Sequence, residues 1–69
     1  MARFEKRFHL HGETWIQRKY KRRGESRWVT SVQPRNFPVC YSRGRRPTHD
    51  ELKQCLSTGT LFVGEPRNG

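Results

Sequence analysis

Polar and apolar residues alternate over residues 3–10. Phe4, Phe8 and Leu10 fall on one face, with Lys6 the exception, and Arg3, Glu5, Arg7 and His9 fall on the other. A period of two predicts a half-buried strand. His11-Gly12-Glu13 supplies a turn. Residues 14–22 predict a second strand, with Ile16 and Tyr20 on one face and Trp15, Gln17, Lys19 and Lys21 on the other. Arg23-Gly24-Glu25-Ser26 reads as a turn. Residues 27–32, RWVTSV, then form a third strand rich in β-branched and aromatic side chains. The second and third strands make one long hairpin with a basic tip.

Beyond the hairpin the pattern loosens. Residues 33–38 are irregular, with prolines at 34 and 38. Residues 39–41 predict a short edge strand, because Pro38 argues against a central one. Residues 42–47 form a loop that carries Arg43, Arg45 and Arg46 around Gly44. A helix is predicted over residues 49–58. Thr48 and Glu51 have the spacing of a capping box, and Asp50 and Glu51 put negative charge at the positive end of the dipole. Leu52, Cys55 and Leu56 recur at i, i+3 and i+4 as a narrow apolar stripe. Gly59 stands where a left-handed cap ends a helix. Residues 60–63 read as a last strand.

This order predicts a single α+β domain over residues 1–64, a small antiparallel sheet of three to five strands packed against one short helix, with a frayed tail at 65–69. The helix stripe is expected to share a core with Phe4, Phe8 and Leu10 and with Ile16 and Tyr20. The succession of three strands and a helix resembles the architecture of small sheet-based DNA readers such as the arm-site binding domains of integrases. No residue motif accompanies that likeness, and no residue role is carried across.

Charge narrows the functional classes. Among 69 residues, fifteen Lys and Arg face six Asp and Glu, a net +9, with an isoelectric point near 10.9. Eleven of the fifteen are Arg. Arginine grips phosphate and carboxylate through two parallel hydrogen bonds and stacks on flat rings, so the bias points to phosphate or carboxylate recognition. Only 30% of residues are hydrophobic, which limits the core. Residues 1–10 do not read as a secretory signal, and no stretch reaches membrane-spanning length. A cytoplasmic setting with free thiols at Cys40 and Cys55 is the expectation.

Two basic clusters are the candidate sites for nucleic acid. The hairpin holds Arg18, Lys19, Lys21, Arg22, Arg23 and Arg27, and an extended ribbon can enter a groove or follow a backbone. The loop holds Arg43, Arg45 and Arg46. The helix N-terminus is a weaker phosphate site, because Asp50 and Glu51 already occupy it. Trp15, on a strand face with Lys19 and Lys21, is the candidate to stack on a base if exposed. No metal site is expected: His9, His11, Cys40 and Cys55 lack paired-cysteine spacing, and Cys55 lies on the apolar stripe. Catalytic motifs and cofactor loops are missing from the sequence, so no enzyme activity and no cofactor are expected.

The reading is a small non-enzymatic protein that binds nucleic acid, DNA more than RNA, through the hairpin and the loop. The alternative is a small regulator of phage or mobile-element type that binds and inhibits an acidic surface of a host protein. A membrane is not the expected partner.

Overall fold

The computed structural model describes residues 4–64, with the backbone alone at Arg22. Its elements are β1 (Phe4–Leu10), β2 (Glu13–Arg22), β3 (Glu25–Val32), β4 (Val39–Arg43), α1 (His49–Thr58) and β5 (Leu61–Val63). The five strands lie in chain order in one sheet. Pairing is antiparallel from β1 to β4, and β5 joins β4 in parallel after the helix. The α+β expectation holds: a mostly antiparallel sheet packs with one short helix. The tail expected at 65–69 lies outside the described residues.

The first turn decides which residues become core. Leu10 pairs with Glu13, so His11 and Gly12 alone make the turn, and both have positive φ, 54° and 79°. Two consecutive left-handed residues are the pattern whose twist suits a two-residue hairpin. The sequence reading gave this turn three residues, which would set Phe8 opposite Ile16. With two residues, Phe8 faces Trp15 instead. A one-residue change of this kind moves every side chain of the strand to the other face. Trp15 therefore joins Phe4, Phe8 and Leu10, while Ile16 and Tyr20 lie on the opposite face. The expectation that Ile16 and Tyr20 share the helix-side core is corrected accordingly.

Two further expectations change. The second turn is Arg23-Gly24 alone, so β3 begins at Glu25 rather than at residue 27. β4 is an inner strand, flanked by β3 and β5. Pro38 precedes its first residue and so removes no donor from the β4 ladder, which is why the proline does not confine β4 to an edge.

The helix-side face has two unequal halves. In one, Trp15, Val32 and Cys40 of the sheet meet Leu52 and Cys55 of α1, with Phe8, Leu10, Leu56, Leu61 and Val63 around them. Trp15 is fully buried; its ring lies parallel to that of Phe8 at 6.5 Å, and its Nε1 donates to the Leu10 carbonyl at 3.0 Å. Both thiols are free and buried, and burial pushes the Cys40 thiol up to about 12. Gln17 and Thr30, both buried, form a polar row beside this cluster. Beyond that row stands Trp28, edge-on to Phe4 at 5.7 Å. Arg46, from the loop before the helix, lies over this second half.

α1 is held at both ends. Thr48 Oγ1 accepts from the Glu51 amide at 3.2 Å, and the Thr48 amide donates to Glu51 Oε1 at 2.7 Å, closing the predicted capping box. Gly59 ends the helix with φ 96° and ψ −104°, its amide donating to the Cys55 carbonyl at 2.8 Å. The positive φ was expected; the ψ is not that of a left-handed cap. Thr48→Ala removes one half of the box and should cost about 1 kcal/mol in thermal or urea unfolding. Unchanged stability would mean that this box does not hold the helix.

Candidate nucleic-acid interface

Strand alternation divides the hairpin cations between two faces. Arg18 and Arg27 belong to the face away from the helix; Lys19 and Lys21 lie on the helix side. Arg23 is exposed at the turn, with φ 53°. The side chain of Arg22 lies outside the described residues. The hairpin is therefore not one basic patch but two half-sets joined at a basic tip.

The loop arginines are committed to different tasks. Arg45 forms a double hydrogen bond with Glu51, at 2.9 and 2.8 Å. That carboxylate is the capping residue of α1, so Arg45 braces the start of the helix. Arg46 lays its guanidinium over Trp28 at 5.2 Å and Phe4 at 5.5 Å. Lys19 approaches the same Trp28 ring at 5.3 Å. Two cations on one indole, itself 7% exposed, close the second half of the sheet by cation–π attraction. Of the loop set, Arg43 alone projects to the helix-free face, opposite Arg27.

Trp15 leaves the candidate interface. It is fully buried beneath the helix, and its indole N–H is already engaged, so it has no ring face to offer a base.

The helix-free face is rich in arginine. Three rows cross it: Arg7–Ile16–Ser31–Val39, Glu5–Arg18–Val29–Tyr41–Phe62, and Tyr20–Arg27–Arg43. Among the described side chains it carries four arginines against two glutamates, Glu5 and Glu25. Arg18 meets Glu5 at 3.3 Å. Glu25 takes Arg43 at 2.7 Å and Arg27 at 3.4 Å. The charge of Arg43 and its hydrogen bond hold the Glu25 carboxyl below its usual value. Each guanidinium keeps further donors beyond those that Glu25 uses. Exposed pairs of this kind add little stability.

Two ring side chains complete this face, and sequence reasoning assigned neither of them to a site. Tyr41 and Phe62 stack at 5.1 Å with 14° between their planes. They are 39% and 77% exposed. The available signal was the parity of Cys40 and Leu61: once those two enter the core, their neighbours Tyr41 and Phe62 must point out. Arg7 and Tyr20 join the face by the same rule.

The histidines make local contacts. His9 Nδ1 lies 3.2 Å from Thr14 Oγ1, and His11 Nε2 lies 2.9 Å from the His49 carbonyl. Among the described residues no three His, Cys, Asp or Glu side chains gather as a metal site. No described helix is long and apolar enough to cross a membrane.

The bracing role of Arg45 predicts a specific acid response. The Arg45 hydrogen bonds, aided by the Thr48 amide, lower the Glu51 carboxyl from 4.5 to about 2. A depressed carboxyl contributes stability that is complete above pH 4.5 and is lost as pH falls through 2. In unfolding measured from pH 6 to pH 2, Glu51→Gln should lose less stability than the parent across this window, because Gln keeps the cap and has no charge to lose. Identical acid profiles would remove Arg45 from the helix brace.

Neither a protein-family model, a curated protein nor a solved structure matches the chain.

Proposed function

We propose that this chain is a small, non-enzymatic nucleic-acid-binding protein whose contact surface is the helix-free face of the sheet together with the Arg23 tip. The observation that carries the reading is the concentration of Arg7, Arg18, Arg27 and Arg43 on the sheet face away from the helix, in a chain of net charge +9. Guanidinium groups on a flat surface suit phosphate oxygens, and neutralising phosphates releases counterions. Arg45 and Arg46 act in the fold on this reading, and Lys19 shields Trp28. The contact set is accordingly narrower on the helix side, and wider on the other, than the two sequence clusters. Cellular placement with the nucleic acid of a cytoplasm follows from the same proposal.

The acidic-protein alternative shares the charge but asks for a different energetic centre. Protein interfaces concentrate their energy in buried aromatic anchors, with rim charges acting mainly on association rate. Phosphate binding spreads its energy over the cations and shows it in the salt dependence.

Anisotropy of labelled nucleic acid across a salt series is the test. With about five cations engaged (Arg7, Arg18, Arg23, Arg27 and Arg43), log affinity for duplex should fall against log salt with a slope of roughly −4 to −5. Arg7→Ala/Arg23→Ala should flatten it by about two, and Arg45→Ala should leave it nearly unchanged while lowering stability. Lack of binding to duplex and single strand at low salt would overturn the proposal.

A further inference from the structure

Building on the nucleic-acid reading, we propose that the helix-free face takes single-stranded nucleic acid, with the Tyr41–Phe62 pair stacking on unpaired bases and Arg27 and Arg43 holding the adjoining phosphates.

The aromatic pair is already arranged as a stack. Tyr41 and Phe62 are direct partners on neighbouring strands, and their rings already lie parallel at 5.1 Å. Tyr41 spends one ring face on Phe62. Phe62 stands on the edge strand, so its other face turns away from the sheet, which agrees with its 77% exposure. A base added to that outer face continues a stack that is already two rings deep. Base–aromatic stacking tolerates any sequence, since every base has a π-face.

Positive charge lies beside the pair. Arg27 and Arg43 are directly opposed across β3 and β4. Like charges in that position repel. Glu25 bridges them and keeps both guanidiniums in place. Arg43 lies two residues beyond Tyr41 on the same face, roughly 7 Å along the strand. A ring and a phosphate-gripping fork therefore sit within one nucleotide's reach of each other.

Rings and charge together discriminate between occupants of this face. In a duplex the base faces are hidden in the stack, so the rings have no unpaired base to stack on. The exposed ring faces then have no use. A second copy of this chain would bring a further +9 against the same arginines, so charge opposes self-association here. Unpaired bases on a polyanionic backbone match both the rings and the charge.

The test compares anisotropy for four labelled probes of equal length: a single strand with its bases (oligodeoxythymidylate and oligouridylate in parallel), the same backbone without bases, a duplex, and polyglutamate. Wild type should bind the single strand about 5- to 150-fold more tightly than the abasic strand. Phe62→Ala should weaken the intact strand by a comparable factor and leave the abasic strand unchanged. Phe62→Leu, which keeps apolar bulk without a ring, should behave like Phe62→Ala; circular dichroism and melting confirm folding of both. Equal affinity for intact and abasic strands, recovery of binding by Phe62→Leu, or preference for duplex would each overturn the stacking inference while leaving the nucleic-acid reading standing. Tighter, Phe62-dependent binding of polyglutamate would overturn it in favour of an acidic protein. If none of the nucleic-acid probes binds at low salt, the underlying reading fails as well.

Discussion

The register of the first hairpin is the constraint on which the rest of this structure depends. A two-residue turn at His11-Gly12 sets Phe8 against Trp15, and the ladder carries that choice across β3, β4 and β5. Trp15, Val32, Cys40, Leu61 and Val63 then share one face, and the helix stripe covers it. The chain has too few large apolar residues to furnish a second layer. The helix does not cover the other face; Ile16 and Ser31 are buried there at 2% and 4% exposure, and the arginines of alternate positions stand beside them with Tyr20, Tyr41 and Phe62. A slip by one residue would exchange these sets and bury guanidiniums in place of Trp15, so the same geometric choice makes both the core and the basic surface.

Arginine has three uses in this molecule, and they are distinguishable by what each guanidinium touches. Arg45 is bound through two hydrogen bonds to the capping carboxylate of α1. Arg46 is a lid on aromatic rings, completing the part of the sheet that a ten-residue helix does not reach. Arg27 and Arg43 are set side by side at the surface by one carboxylate. A count of charges per segment treats all of these alike. Proximity in sequence joined Arg43 to Arg45 and Arg46, while pairing in the sheet joins it to Arg27.

The elements were legible because their local signals agree: alternation in β1 and β2, β-branched and aromatic content in β3, and the Thr48–Glu51 box before the Leu52, Cys55, Leu56 stripe. What the sequence did not disclose is the relation between elements. Turn length at His11 cannot be read to within one residue from composition, and that single residue moved Trp15 from candidate contact to core and Ile16 to the opposite face. Pro38 suggested an edge by disfavouring a central strand, and the partner β5, which arrives only after the helix, makes β4 an inner one. Phe62 lies between Leu61 and Val63 in a wholly apolar run, so alternation gave no sign of which of the three would point outward; the pairing of Cys40 with Leu61 settles it. The basic character of the proposed interface was visible in composition, and its aromatic part was not.

The central claim is that binding occurs on the helix-free face. It is tested most directly by following backbone amide shifts of isotopically labelled protein while a single-stranded oligonucleotide is added. The account predicts perturbations concentrated at Arg27, Val29, Tyr41, Arg43 and Phe62, with the amides of His49–Thr58 little changed. Shifts centred on the helix and on residues 44–47, with the β3–β4–β5 face silent, would contradict it.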